Sequence, residues 1–266
     1  MNLVMVLIIW FGAKGIDKGQ MQVGDMMAFM QYTMQIIMSF LMLCMMSIML
    51  PRAAVAGNRI AEVLSTKTAI EEPESPKPFD MSKRGTVEFD HVSFRYPGAQ
   101  ENVLEDITFT AKPGQTTAII GSTGSGKSTL VHLIPRLYDI SQGKLLVDGI
   151  PVNQTSLYDL RERIGFVPQK GVLFTGTIAS NIRYGKENAS KEEIELAAQI
   201  AQAQDFIEAK EDQYEEPISQ GGGNVSGGQK QRLSIARAIA KHPEIYIFDD
   251  SFSALDYKTD AQLRRR

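Results

Sequence analysis

The chain has 266 residues, which is long enough for one large domain or two ordinary ones. Its 28 lysines and arginines nearly balance 31 acidic residues, and the net charge of −3 argues against a nucleic-acid binder that relies on a broad basic surface. Cys44 is the only cysteine, which excludes an intrachain disulfide and a cysteine-based metal cluster. The three histidines, His91, His132 and His242, lack metal-ligand spacing, so we interpret them as surface or packed residues.

Residues 26–50 predict a complete membrane helix, a stretch of 25 positions without a charged side chain. At about 1.5 Å per residue, such a helix spans a bilayer core of roughly 30 Å. Asp25 is the expected N-cap, and Pro51 with Arg52 suits the exit into the interface. The alternative, a buried helix of a soluble protein, is disfavoured by the length and the absence of charge.

Residues 2–11 are apolar but only half long enough to span a bilayer. They lack the basic n-region of a signal peptide, so we interpret them as the end of a membrane helix. The polar piece 12–25 would then join two spans as a tight hairpin. Lysine and arginine counts do not orient the spans.

Methionines recur every fourth residue along the long apolar stretch, from Met30 to Met46. A methionine stripe can line a cavity that accepts varied apolar ligands, because thioethers are adaptable. The same stripe can equally face lipid or another helix, and this second interpretation is favoured.

After Pro51 the pattern predicts a helix that continues into water, followed by a proline-rich charged linker at 65–84. From Gly85 onward, β-like runs at 86–94, 116–120, 144–149, 164–167 and 245–248 alternate with helical patterns. This alternation predicts an α/β domain with a largely parallel sheet. Ser190 and Glu193 form a capping-box pattern ahead of one helix.

A phosphate-loop motif follows the β-like run at 116–120. Residues 121–128, GSTGSGKS, match G-x-x-x-x-G-K-[ST] and open a predicted helix. Glycines allow backbone N–H groups to surround phosphate oxygens, Lys127 reaches the terminal phosphates, and the Ser128 hydroxyl can ligate Mg²⁺. The motif predicts binding of a nucleoside triphosphate. The residues expected to bind it are Gly121, Ser122, Thr123, Gly124, Ser125, Gly126, Lys127, Ser128 and Thr129.

Two adjacent carboxylates end the apolar run IYIF. An aspartate at the end of a strand beside a phosphate loop holds Mg²⁺ in phosphate-loop enzymes, and Asp249 fits this role. Asp250 lies where a second carboxylate can orient an attacking water. The alternative for both is a capping or turn residue, which is weaker for Asp249 than for Asp250.

A second glycine-containing motif, VSGGQ, opens the helix that precedes this strand. Alone it is best interpreted as an ordinary N-cap, although such a helix start can also border a phosphate. Together with GSTGSGKST and IFDDSFSALD, in this order, it resembles the ATP-binding cassette (ABC) transporter family, in particular the exporters that fuse a membrane domain to an ATPase domain.

The resemblance implies an α/β P-loop NTPase fold, with antiparallel β and helical subdomains, preceded by transmembrane helices and truncated at both ends. It implies that 1–64 is the last part of a transmembrane domain, 65–84 a linker and 85–266 an ATPase domain lacking its C-terminal part. It implies ATP and Mg²⁺ as ligands. Tyr96 would stack on adenine, Gln169 and Asp249 would join Ser128 at Mg²⁺, and the loop 253–256 would cross a dimer interface. The residues resembling the signature, which contacts ATP held by the opposite cassette, are Ser226, Gly227, Gly228 and Gln229.

Two departures from the family pattern modify this expectation. The usual catalytic glutamate is Asp250 here, and a carboxylate misplaced by about 1 Å can cost roughly a hundredfold in rate. The family's switch histidine lies further downstream, and no histidine follows His242 here, so the resemblance implies a fragment of a half-transporter. Because of Asp250 we predict a degenerate site that binds ATP and hydrolyses it slowly, with Asp250 and Gln169 as its catalytic residues. In the family such sites occur in heterodimers.

The expected partners are a second, different half-transporter, the lipid bilayer and a small amphipathic or drug-like substrate, with no nucleic acid. The expected location is the cell membrane, multi-pass, with the ATPase domain in the cytoplasm. A soluble cassette ATPase acting on nucleic acid or the ribosome is the alternative, and the uncharged stretch 26–50 disfavours it. A kinase or GTPase is disfavoured by VSGGQ.

Overall fold

The computed structural model describes residues 2–79, 81–253 and 263. The chain divides into two compact units, Met1–Ala69 and Ile70–Arg266. The boundary between the units falls inside the segment 65–84 that the sequence predicts to be a linker. The assignment of functions to three domains stays a prediction.

Two helices form the first unit, α1 at Asn2–Asp17 and α2 at Val23–Ser65. A β-carbon at Gly12 would lie 2.8 Å from Cγ and Sδ of Met26, so the glycine lets α1 and α2 approach closely. The predicted continuation past Pro51 is confirmed, because α2 contains that proline and ends at Ser65. Among the described residues, α2 is the one helix that is long and apolar enough to cross a membrane.

Two predicted helix ends are wrong. α2 begins at Val23, two residues before Asp25, and the backbone N–H of the N-cap Gln22 donates to Asp25 Oδ2 at 3.0 Å. A carboxylate in the first turn accepts such a bond and faces the positive end of the helix dipole, so Asp25 stabilises the start without being the cap. α1 continues past Phe11 to Asp17, because no proline interrupts 12–17. The connection is therefore only 18–22.

The second unit contains a four-stranded antiparallel sheet with the order β2-β1-β3-β4. Phe89 on β1 stacks on Phe109 of β2, with ring centroids 4.7 Å apart. The inner face of the sheet packs against the helix that follows the phosphate loop. The strands are β1 Val87–Phe94, β2 Leu104–Ala111, β3 Gln142–Val147 and β4 Ile150–Pro151. β2 was not among the predicted strands, although Ile107, Phe109 and Ala111 alternate inward.

A separate two-stranded sheet is parallel. β5 at Ile164–Val167 pairs in register with β8 at Ile245–Phe248. This pair confirms the predicted parallel strands at 164–167 and 245–248, whereas the larger sheet is antiparallel. The predicted strand at 116–120 is wrong: those residues form no strand, and Ile120 is 91% exposed. A strand needs a hydrogen-bonded neighbour, and no described strand pairs with this segment.

The remaining elements form a helical part with its own buried cluster around α8. The predicted capping box is confirmed at the start of α6, where Ser190 Oγ accepts from the backbone N–H of Glu193. The helices of the second unit are α3 Lys127–Leu133, α4 Leu157–Glu162, α5 Ile178–Arg183, α6 Lys191–Ile200, α7 Gln204–Glu208 and α8 Gly227–Ala240. Two short strands, β6 Gly176–Thr177 and β7 Pro217–Ile218, pair with each other. Single 3₁₀ turns lie at Met81–Lys83, Val152–Gln154, Gln213–Glu215 and Gln220–Gly222.

Candidate functional site

The phosphate-loop motif forms a turn that leads directly into α3. Gly124 and Gly126 have φ angles of 85° and 88°, a left-handed conformation that glycine adopts without strain. Lys127 Nζ donates to the carbonyl oxygens of Gly121 at 3.0 Å and Ser122 at 2.7 Å. The ammonium group thus lies over the loop itself. A phosphate bound in the loop would meet this ammonium and replace carbonyl oxygens as its acceptor.

A serine and an aspartate from distant parts of the chain meet beside the loop. Ser128 Oγ, near the start of α3, donates to Asp249 Oδ1 at 2.7 Å. Asp249 follows β8 directly, is only 7% exposed, and its backbone N–H donates to the Val167 carbonyl at 3.0 Å. The parallel β5–β8 pair therefore fixes the position of this carboxylate at its own carboxyl end.

This pair of oxygens suits a magnesium ion. Mg²⁺ takes oxygen ligands at 2.0–2.1 Å in octahedral geometry, so two neighbouring ligands lie about 2.9 Å from each other. The Ser128–Asp249 distance of 2.7 Å is close to that spacing. The described part of the chain holds no cluster of three His, Cys, Asp or Glu side chains suited to a metal.

Gln169 and Asp250 also meet. Gln169 Nε2 donates to Asp250 Oδ2 at 3.2 Å. Asp250 has a φ of 45°, a left-handed conformation that Asp tolerates better than most residues. Its carbonyl oxygen accepts from Ser253 Oγ at 2.9 Å. Ser251 Oγ, which is buried, donates to the Val167 carbonyl at 2.9 Å. The turn after β8 is thus held to the end of β5.

Tyr96 belongs to a cluster of three aromatic rings. Its ring lies edge-on to those of Phe94 and Tyr138, with centroids 4.9 Å and 5.2 Å away. Its hydroxyl is 2.9 Å from Oγ1 of Thr129, which is buried on α3. The tyrosine expected at adenine is therefore linked to the helix that follows the phosphate loop.

The four signature residues open α8. Ser226 is the N-cap: its Oγ accepts from the backbone N–H of Gln229 at 3.3 Å, and Gln229 Oε1 accepts from the N–H of Ser226 at 2.9 Å. A β-carbon at Gly227 would meet nothing within 4 Å, so this edge of the helix is open. In the described part of the chain, no hydrogen bond joins these four residues to residues 121–129.

Some neighbours of the site were not singled out from the sequence. His132 Nε2 lies 3.6 Å from Asp249 Oδ2, and its ring contacts that of Phe166. The signal was its spacing of four from Ser128 on one helix. Tyr138 and the buried Gln231 carry no local signal, because their contacts are tertiary. Of the predicted interface loop 253–256, residues 254–256 lie outside the described residues.

Comparison with known proteins identifies the family of this chain. The protein-family model for ABC transporters matches residues 104–253, which includes the phosphate loop, the signature and Asp249. An uncharacterized ABC transporter ATP-binding protein of Mycobacterium tuberculosis strain H37Rv is 50% identical over 98% of the chain and 45% of its own length. A beta-(1→2)glucan export ATP-binding/permease protein of Rhizobium johnstonii is 37% identical over 99% of this chain, a match that covers 44% of that protein's own length. The chain thus spans about half the length of these relatives.

A solved structure is similar in fold. The ATP-bound structure of a bacterial Atm1-family ABC exporter superposes with a TM-score of 0.79 at 32% sequence identity. The match covers 99% of this chain and 46% of that exporter. With the P-loop NTPase fold, the antiparallel sheet and the helical part in place, this chain belongs to the ABC transporter family and carries its ATP-binding domain.

Proposed function

We propose that this chain is the ATP-binding and ATP-hydrolysing part of a membrane exporter. The observation that carries the proposal is the 2.7 Å hydrogen bond between Ser128 Oγ and Asp249 Oδ1. It brings the last residues of the phosphate loop to the carboxylate that ends β8, as nucleotide hydrolysis with Mg²⁺ requires. The relatives with export in their names support the choice of transport over soluble remodelling.

Each residue of the site has a distinct task in this proposal. Lys127 and the backbone of 121–126 bind the phosphates, and Tyr96 stacks on the base. Ser128, Asp249 and Gln169 would hold Mg²⁺, which neutralises phosphate charge when bound. Asp250 accepts the proton of the attacking water, and Gln169, hydrogen-bonded to it, keeps that carboxylate in place. Ser226 to Gln229 contact ATP in the opposite cassette of a dimer.

The site is proposed to be slow. Asp250 stands where the family pattern has glutamate, so its carboxylate ends about one carbon–carbon bond short of the usual position. Its left-handed backbone and its bond to Gln169 leave it little freedom to approach the water. In this proposal the chain works with a different half-transporter whose own carboxylate completes the faster site.

The proposed location in the membrane and the proposed substrate class both concern α2. Its long uncharged stretch would lie in the cell membrane as one of several spans, with the ATPase domain on the cytoplasmic side, where ATP is. As substrate class we propose amphipathic, drug-like molecules. This requires the methionine stripe of α2 to line a cavity, the alternative to its lipid-facing interpretation, where thioethers would adapt to ligands of many shapes. Transport assays should include a beta-glucan, which the Rhizobium relative exports according to its name.

Binding of Mg·ATP and release of phosphate test the proposed function. The protein is purified in detergent with its partner subunit, and each variant is compared with the wild type. Lys127→Ala should abolish ATP binding at this site, because the phosphates lose their ammonium partner. Lys144→Ala, an exposed lysine on β3, is the matched control and should leave binding unchanged. Equal binding by wild type and Lys127→Ala would contradict the proposal.

A further inference from the structure

Gln231 is a buried polar side chain that the proposed mechanism does not use. It lies on α8, two residues after the signature, and is only 1% exposed. Its amide makes two hydrogen bonds to the segment that follows β5: Oε1 accepts from the Gly171 N–H at 2.9 Å, and Nε2 donates to the Pro168 carbonyl at 3.0 Å. A side-chain amide has one strong acceptor and one donor group, and both are satisfied here by backbone.

The two backbone atoms bound by Gln231 belong to the first and last residues of a four-residue loop. In an ordinary β-turn the carbonyl of the first residue accepts directly from the N–H of the fourth. Here the Gln231 amide stands between Pro168 and Gly171 and bridges them. The width of the loop is therefore set by a residue of α8. Gln169, which bonds to Asp250, is the second residue of that loop.

Close packing joins the loop and α8 independently of these hydrogen bonds. A β-carbon at Gly171 would lie 2.7 Å from the Lys230 carbonyl oxygen and 2.8 Å from Ser234 Oγ, both on α8. No real β-carbon approaches so closely, so any larger residue at 171 pushes the loop and the helix apart. Gly171 and Gln231 thus both hold the loop 168–171 against α8. Gly171 does so by having no side chain, and Gln231 by its two hydrogen bonds.

We propose that Gln231 is a positioning residue that holds the loop 168–171 to α8, and so links the signature at the start of α8 to Gln169 and Asp250. The inference rests on the proposed ATPase function and adds a route by which the two ATP sites of a dimer affect each other. In the proposed function the signature contacts the opposite nucleotide. Gln231 is two residues further along the same helix, and the loop it bridges carries the side chain that contacts Asp250.

Two variants test the contact between the loop 168–171 and α8 in different ways. Gln231→Met keeps the length of the side chain and removes both hydrogen bonds, whereas Gly171→Ala keeps both polar groups and forces the surfaces apart. Gln199→Met, the same change at an exposed position of α6, is the control. Three quantities are measured on the exporter with its partner subunit: the affinity for Mg·ATP, single-turnover phosphate release, and amide deuterium exchange in a peptide covering 165–173.

We expect both variants to bind Mg·ATP within about twofold of wild type and to release phosphate about tenfold to a hundredfold more slowly, as for a catalytic group displaced by about 1 Å. The Gly171 amide should exchange faster in Gln231→Met, and the control should match the wild type in all three measurements. Wild-type phosphate release by both variants would overturn the inference, and so would a loss of ATP affinity equal to the loss of rate.

Failure of the proposed function gives a different result. Absence of phosphate release in the wild type would contradict the ATPase proposal itself. The exchange measurement then tests the contact between the loop 168–171 and α8 without any need for hydrolysis. The Gly171 amide should remain protected from exchange in wild type and control and lose protection in Gln231→Met. Equal exchange in all three proteins would overturn the inference.

Discussion

Gln169 Nε2 donates a hydrogen bond to Asp250 Oδ2 across 3.2 Å, which brings the second residue after β5 to the second residue after β8. In the proposed mechanism Asp250 is the proton acceptor. Its reach is limited by this contact, by its short side chain and by its left-handed backbone.

Lengthening this carboxylate should speed hydrolysis. In Asp250→Glu the carboxylate moves about one carbon–carbon bond further out, and we expect phosphate release to rise tenfold or more, because about 1 Å of misplacement costs roughly a hundredfold. Asp250→Asn is the control and should be slower than wild type, since an amide accepts no proton. Single-turnover release from the site containing Lys127 is the measurement. An unchanged rate in Asp250→Glu would contradict the degenerate-site interpretation.

Removing the charge of Asp249 should remove the dependence of ATP binding on magnesium. Asn can still accept from Ser128 Oγ, so Asp249→Asn keeps the local fold. We expect chelation of Mg²⁺ to weaken ATP binding by the wild type about tenfold, which equals about 1.4 kcal/mol, and to leave Asp249→Asn nearly unaffected. Titration of ATP with and without chelator checks this. Asp205→Asn, at an exposed position of α7, should behave like the wild type.

The Tyr96 ring should contribute more to ATP affinity than its hydroxyl. Base–aromatic stacking contributes about 1–3 kcal/mol, so Tyr96→Ala should raise the Kd about 5- to 150-fold. Tyr96→Phe keeps the ring and loses the hydroxyl contact to Thr129, and its Kd should change by less than about threefold. Tyr158→Ala, an exposed tyrosine on α4, serves as the control. Equal effects of Ala and Phe at 96 would contradict stacking.

The His91–Asp106 contact should make stability depend on pH. His91 Nδ1 lies 2.6 Å from Asp106 Oδ1, and this hydrogen bond raises the pKa of His91 above its ordinary value of 6.5. Because the folded pKa exceeds the unfolded one, the contribution is complete below pH 6.5 and is lost as the pH rises through the folded pKa. Thermal melting of wild type and Asp106→Asn should differ at pH 5.5 and agree at pH 9. A difference independent of pH would contradict this assignment.

Arg237 should be important for the stability of the helical part. Its guanidinium donates to the carbonyl oxygens of Asn181 at 2.8 Å and Val172 at 2.9 Å, and burial lowers its pKa. It also lies 5.3 Å from the ring centroid of Phe174 and 5.6 Å from that of Tyr184. Arg237→Met leaves those carbonyls without a partner, and we expect a loss of about 3 kcal/mol in the free energy of unfolding.

Denaturant unfolding at neutral pH measures this loss. Arg183→Met, at an exposed position of the neighbouring α5, is the matched control and should change stability by less than about 0.5 kcal/mol. Equal stabilities of the two variants would contradict the structural importance of Arg237.

Local motifs made much of the site predictable. The turn of the phosphate loop, the capping box of Ser226 and the carboxylate at the end of β8 each depend on a few neighbouring residues. The bonds from Gln231 to 168 and 171, and from Tyr96 to Thr129, join residues 60 or more and 33 positions apart, so no local pattern indicates them. The run 116–120 has strand-like composition, yet a strand also needs a partner, which composition cannot supply.

Because α2 is one continuous helix, a bend at Pro51 would move its far end. Its 43 residues make it about 65 Å long, while the uncharged stretch needs only about 37 Å. Pro51 lies where the uncharged stretch ends, and because proline has no N–H to donate, bending there disrupts fewer hydrogen bonds than elsewhere. The last 14 residues, 52–65, then act as a lever of about 21 Å. A tilt of about 10° at the proline moves Ser65 sideways by about 3.6 Å, which is about the length of one residue of extended chain.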